Sequence, residues 1–415
     1  MDITPLRRTR DFRFLYAGQA VSTLGTQLTI VAVAYQVYEL SHSSFDVGLA
    51  SLIQFFPLLA FSLLGGSVVD ATDRRRLIVL VEALMAGCSA ALAVNSDVGA
   101  QLWPLFLFPA LNAGLSGLDM PTRNAMIPKL VDKEQLTAAA ALMQAQQQAG
   151  VVVGPAVGGL LLAGAGIRFV YWADVATFGV SILASLLMRP HPPAAEVARP
   201  GLRSVAEGFK HLRGSQALQG TYLLDVNAMV FGMPRALFPA MAVHTFGGGA
   251  SVVGFLYAAV GAGGLIGALT TGWCGSVRRQ GWAVIVSVIL WGAAIAAFGF
   301  VPWLAAALVL LALAGWADVI SAVFRNSILQ NIVPDHLRGR LLGVHMAVVT
   351  GGPRLGDLES GSVASLASNE FTVISGGLAC VVGAALLGWR LKGFRAVDIG
   401  PEPTQSSLSN RTVVN

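Results

Sequence analysis

The sequence predicts an all-α membrane protein with about twelve transmembrane helices in two parallel six-helix halves. Three observations carry this. Apolar runs of about 20 residues follow one another along the chain, basic residues alternate between them, and the chain repeats its own landmarks at a spacing of about 200 positions.

The apolar runs come first. Of 415 residues, 55% are hydrophobic and 12% are charged. Soluble domains carry roughly 25% charged residues, so this chain has too few to coat a water-facing surface. The runs centre on 14–38, 46–69, 77–95, 100–120, 136–163, 169–188, 217–243, 252–273, 282–300, 303–323, 341–365 and 371–391. Each matches the length that crosses about 30 Å of hydrocarbon at 1.5 Å per residue. The strands of a membrane barrel would show alternation over about 10 residues instead. The first run is too long for a signal peptide and reads as a retained span.

Basic residues set the orientation. Cytoplasmic loops are enriched in Lys and Arg. With the N-terminus inside, 24 of the 27 Lys and Arg residues fall on the inner side. Arg168, Arg235 and Arg354 are the exceptions, the last two within predicted spans. An even number of spans with both termini cytoplasmic follows. The net charge of +5 is thereby a topology signal, and nucleic acid is not an expected partner. Cys88, Cys274 and Cys380 lie far apart in apolar runs and form no metal or disulfide pattern.

The repeat completes the fold. Arg123-Asn124 closes span four and Arg325-Asn326 closes span ten; Gly154-Pro155-x-x-Gly158 returns as Gly352-Pro353-x-x-Gly356. The halves are expected at 1–190 and 217–392, around a site near the midplane. Between them, 191–216 opens with prolines, which end helices, and then gives Ser204-Val-Ala-Glu207, a capping box. An amphipathic surface helix is expected there, followed at 393–415 by a disordered cytoplasmic tail.

The loop after span two reads Gly66-Ser-Val-Val-Asp70-Ala-Thr-Asp73-Arg74-Arg75. It resembles the cytoplasmic loop signature of the major facilitator superfamily, with Asp73 where that pattern prefers glycine. By this resemblance Gly66, Asp70, Arg74 and Arg75 form a gating loop, and Asp70 pairs with groups such as Arg123 when the inner gate shuts. In span five, Gly150, Gly154, Pro155, Gly158 and Gly159 place small residues for close helix packing, with a proline kink. This segment resembles the core of the signature of proton-coupled antiporters. The upstream glycine of the longer pattern falls on Ala141.

Charges within spans cost about 2.5–3.5 kcal/mol each on insertion scales and so mark function or a structural ion pair. Asp225, Asp318, Arg354, Asp357 and Glu359 are proton-coupling candidates, with Asp225 and Asp357 first. Arg354 and Asp357, three apart on one face, are placed to neutralise each other. The superfamily fold points to spans one, four, seven and ten for the cavity, where Gln27, Asn112, Asn227, Phe231, Arg235 and Trp316 are candidates for its wall.

Over most of its length the chain further resembles the enterobactin (catecholate siderophore) exporter branch of that superfamily. The residues that carry this are His42-Ser-Ser-Phe-Asp-Val-Gly-Leu49, Gly254-Phe-Leu-Tyr-Ala-Ala259, Gly263-x-x-Ile-Gly-Ala-Leu-Thr270 and Leu337-x-Gly-Arg340. The resemblance implies a monomeric secondary transporter of the bacterial plasma (inner) membrane. It would export a small siderophore-like molecule by alternating access in exchange for protons, with no cofactor beyond the proton motive force. Efflux of macrolide- or tetracycline-type drugs is the alternative, and import of a nutrient or ferric siderophore a further one. The sequence offers no phosphate-binding loop for an ATP-driven pump and no catalytic motif for an enzyme.

Overall fold

The computed structural model describes residues 2–189, 215–333 and 335–398, with the backbone alone for 63–71, 335–344 and 346–347. Twelve long helical segments follow one another. The first half contains α1 (Arg10–Ser41), α2 (Ser44–Ala71), α3 (Arg74–Val98), α4 (Pro104–Leu130), α5 (Leu136–Ala165) and α6 (Ile167–Leu186). The second contains α7 (Gln216–Phe231), α8 (Ala250–Leu269), α9 (Gln280–Phe298), α10 (Leu304–Ile332), α11 (Asp335–Leu366) and α12 (Asn369–Arg390). Ten of the described segments are long and apolar enough to cross a membrane. The other two, α4 and α11, complete the twelve, and their polar residues and prolines are what lower their hydropathy.

Local chemistry sets the ends. Ser43, Ser215 and Ser368 cap α2, α7 and α12 by accepting from backbone N–H groups three residues on. Asp73, the departure from the loop signature, caps α3 by accepting from the Arg75 and Arg76 amides. A glycine at this position could not do so. His42 takes the left-handed conformation (φ 53°) that turns α1 into α2 within two residues.

Within each half, helices pack as two related bundles. In the first, α1 lies against α5 and α6, α2 against α4, and α3 against α4 and α6. In the second, α8 and α9 flank α10, and α9 and α7 flank α12. The halves meet where α5 packs on α8 and α2 packs on α11. With six helices per half, these two contacts exchange under the repeat, so one twofold relationship generates both.

Span seven is broken. α7 ends at Phe231, a 3-10 turn covers Arg235–Leu237, and a short helix resumes at Phe238–His244. The break exposes backbone groups that lipid could not satisfy. Trp291 Nε1 donates to the Gly232 carbonyl at 2.8 Å, and the Tyr257 hydroxyl donates to the Arg235 carbonyl at 3.3 Å.

Three expectations fall wholly or partly outside the described residues. These are the amphipathic helix within 191–216, of which 191–214 are not described, the Asp70 side chain with the surroundings of Gly66, and the tail from 399 on. The tail expected to be disordered from 393 begins as an ordered turn. Residues Lys392–Arg395 form a short helix, and Phe394 is fully buried. The Gly393 amide donates to Gln216 Oε1 at 2.8 Å.

Candidate functional site

A cavity of about 290 Å³ lies between the halves. Its apolar wall includes Ile30, Val33 and Val37 of α1, Val47 of α2 and Leu92 of α3. Its polar wall comprises Thr26, Thr29, Ser51, Gln54, Asn112, Ser116, Arg235, Tyr257, Arg354 and Asp357. Five helices and the break in span seven contribute these polar groups, from the middle of the spans or the half away from the chain termini.

That same end is where the halves close on each other. Tyr38 and His244 are hydrogen-bonded at 2.9 Å, and Ser44 Oγ donates to Asn369 Oδ1 at 3.4 Å. Backbones touch there because side chains are missing. A Cβ on Gly159 of α5 would stand 2.8 Å from the Gly254 Cα of α8. A Cβ on Gly48 of α2 would run into the Asp357 carbonyl of α11. Small residues thus permit the close approach that the span-five pattern predicts.

The glycines of that pattern divide their work. Gly150, Gly154 and Gly158 lie over Thr23, Gln27 and Leu28 of α1, while Gly159 meets α8. Gln27 is therefore packing material between α1 and α5 and does not line the cavity, contrary to expectation. Asn227 also leaves the list, because its amide donates to the Cys380 carbonyl at 2.9 Å within the second half. Trp316 donates from its indole to Thr270 Oγ1 at 3.0 Å, and Phe231 ends α7 at 39% exposure; neither reaches the cavity. Asn112 and Arg235 do line it, and Tyr257 is the aromatic side chain of its wall.

The intramembrane charges sort into two kinds. Asp357 sits in the cavity wall, where its Oδ2 accepts from Ser51 of the other half at 2.5 Å. Its Oδ1 is buried with no hydrogen-bond partner among the described residues. Arg354 makes no direct ion pair with it among the described residues: its guanidinium donates to the Thr350 carbonyl one turn back at 2.7 Å, while its charge still acts on the carboxyl. The helical spacing does place both residues on the cavity wall. Glu359 is half-buried and lies off the cavity.

The other kind is paired within one half. Asp225 of α7 and Arg325 of α10 meet at 2.5 Å, with Asp318 of α10 at 3.9 Å from the same guanidinium. At the equivalent place in the first half, Arg123 of α4 bonds Glu82 of α3 and reaches Asp119 at 2.7 Å. The two arginines are repeat mates, and each has one acid on its own helix, Asp119 or Asp318, but the second acid comes from non-equivalent helices, Glu82 of α3 and Asp225 of α7. Arg74 donates to the Ala125 carbonyl at 2.9 Å and Arg75 to the Ser185 carbonyl at 3.1 Å, both within the first half. Asp318 also borders a small void of about 20 Å³ shared with Arg235, so a file of charges runs from the cavity toward Arg325.

Two buried acids escaped the sequence reading. Glu82 is 1% exposed in α3 and Asp174 is fully buried in α6. The usable signal was the one applied elsewhere: any acid inside an apolar run.

A family model described as "Transmembrane secretion effector", a division of the major facilitator superfamily, matches residues 2–410. The chain belongs to this family. It is a membrane transporter and not an enzyme. Among curated proteins the transporter is 27% identical over 388 residues to the "Enterobactin exporter EntS" of Shigella boydii serotype 18, covering 93% of each chain. The protein of the same name from Escherichia coli O9:H4 matches to the same extent. Among solved structures, a mutant of the nucleoside transporter NupG superposes with a TM-score of 0.74 at 12% identity, covering 92% of the transporter and 99% of that chain. A POT family transporter in complex with 5-aminolevulinic acid gives 0.74 at 11% identity over 93% and 97%. These structures share the fold.

Proposed function

We propose that the transporter exports a catecholate siderophore-like molecule across a bacterial inner membrane in exchange for protons. The observation that carries this reading is the cavity between the halves, in which two guanidinium groups face an acid with one unpartnered oxygen. The relatives named enterobactin exporters, aligned along 93% of each chain, support the cargo class.

The chemistry of the wall suits such a cargo. A neutral catechol hydroxyl is a donor, and Asp357 Oδ1 is a buried acceptor without a partner. Arg235 and Arg354 offer planar cations that stack on electron-rich rings and donate to amide or ester carbonyls. Asn112, Gln54 and the hydroxyls of Ser51 and Ser116 complete a polar face opposite the apolar strip of α1.

The same acid supplies the coupling. A proton on Oδ1 removes the acceptor that the catechol needs, so proton and cargo compete for one atom. Competition at a single site is what exchange requires: each species leaves only when the other replaces it. With both termini cytoplasmic, as the basic loops support, the closed end faces the periplasm and the state described loads from the cytoplasm. Loss of the Gly159–Gly254 and Gly48–Asp357 contacts would then open the cavity outward. The transporter works as a monomer in this reading.

Efflux of macrolide- or tetracycline-type drugs is a second reading, favoured by the apolar strip Ile30, Val33, Val37 and Leu92. A deletion strain grown in low iron separates the two. Enterobactin retained in the cells, and released when the gene is restored, supports siderophore export. Normal secretion together with new macrolide sensitivity moves the cargo to drugs.

A further inference from the structure

Asp174 sits in the middle of α6, fully buried, and the partners the structure gives its side chain are hydroxyls. Thr29 of α1 and Ser89 of α3 both donate to Oδ2 at 2.7 Å. The other oxygen faces Thr177 Oγ1 at 3.3 Å. That hydroxyl has one proton, which it already donates to the Asp174 carbonyl at 2.7 Å. Oδ1 is therefore left the longer, weaker share of that single proton, at 3.3 Å. It is the poorly served oxygen of the pair, and the one free to carry a hydrogen.

The charges on the packed helices do not offset a negative Asp174. On α6 itself, Arg168 is six residues away, about 9 Å along the axis, exposed and paired with Asp97 of α3 at 3.0 Å. Arg75 of α3 bonds the far end of α6 at Ser185. Glu82 of α3 is seven residues inward from Ser89, about 10 Å, and engaged with Arg123 and Ser181. Nearer titratable groups are neutral: Tyr171 donates to Gln36 Oε1 at 2.7 Å, and Cys88 is a buried thiol. From α1, Glu39 is exposed near the closed end, with Tyr35 and Tyr38 on the same stretch. An ionised carboxylate in this setting would be isolated in a low-dielectric interior, which is costly.

We propose that Asp174 is a proton-binding site of the first half, separate from Asp357, holding its proton on Oδ1 and reaching the central cavity through Thr29. Thr29 touches both places, since it bonds Asp174 and lines the cavity. Release is a simple transfer. The Oδ1–H bond breaks, the electron pair stays on the carboxylate, and a water entering past Thr29 leaves as hydronium. Thr29 and Ser89 continue to donate to Oδ2 and stabilise the resulting charge.

Infrared difference spectroscopy on the full chain in lipid nanodiscs tests this without any cargo. Wild type minus Asp174→Asn at neutral pH is expected to show the carbonyl stretch of a protonated carboxylic acid. Carboxylate bands in its place would overturn the proposal. Thr177→Val provides an independent arm if the first variant does not fold. Removing the hydroxyl beside Oδ1 should shift that carbonyl stretch, and an unchanged spectrum argues against the assignment. Thr29→Val should slow the loss of the band after a jump to alkaline pH by severalfold; an unaltered rate would remove Thr29 from the route.

Discussion

Arg325 holds Asp225 at 2.5 Å across the α7–α10 contact, with both side chains at 5% exposure or less. An acid matched to a cation in this way is part of the framework of the second half. Asp357, whose second oxygen is unpartnered beside the cavity, is the better placed of the two for exchanging a proton.

Breaking the Asp225–Arg325 pair should therefore unfold the transporter before it uncouples it. Asp225→Asn leaves a buried guanidinium with Asp318 alone, at a cost of about 3–5 kcal/mol. The expected result is a clearly lowered melting temperature in detergent. Asp225→Leu combined with Arg325→Met should recover much of it, and no recovery would mean that the pair does more than balance charge.

Asp357→Asn should behave in the opposite way. The asparagine oxygen can still accept from Ser51, so the fold is kept. Gradient-driven accumulation of enterobactin in inverted vesicles is expected to disappear, while exchange of internal for external enterobactin without a gradient persists. Wild-type pumping in this variant would exclude Asp357 from coupling.

Cargo affinity should depend on the arginines of the wall. Arg235→Ala is expected to raise the half-saturating enterobactin concentration by roughly tenfold, which corresponds to about 1.4 kcal/mol. Arg235→Lys should recover only part, because the ammonium lacks the planar face. Equal kinetics for all three proteins would point to another anchor.

The glycine contact between α5 and α8 should control closure. Gly254→Val puts two methyl groups where the backbones of Pro155 and Gly159 lie. A cysteine placed at Asn369 should then react faster with a membrane-impermeant thiol reagent, and transport should fall by an order of magnitude or more, as expected for about 1–3 kcal/mol of overpacking at the closed end. Unchanged labelling would mean the contact does not set the gate.

Much of this was legible in the chain itself, for identifiable reasons. The twelve spans show because hydrocarbon demands long unbroken apolar runs, and the α5 glycines show because close packing needs consecutive small residues on one face. Arg235 and Asn112, expected in the cavity wall, and Asp357 and Arg354, expected as proton-coupling residues, all line the cavity; they stood out because a polar group in a span is costly unless it has work to do. Three things did not show. The break in span seven hid because Gly232-Met-Pro234 lies inside a run whose average hydropathy stays high. The partners of Glu82 and Asp174 hid because Ser181, Thr29 and Ser89 come from helices far away in sequence. Gln27 and Asn227 misled because an amide facing a helix neighbour and an amide facing a cavity look alike in one dimension.

The buried Phe394 has a practical consequence for anyone trimming or tagging the chain. Its ring fills the notch over Gly220 of α7, and its carbonyl seats on Gly281 of α9, so the turn after α12 plugs a seam between two helices. A fusion joint placed at Arg390, where the last span ends, would pull out that stopper and leave the seam open to solvent. A joint placed after Asp398 keeps it.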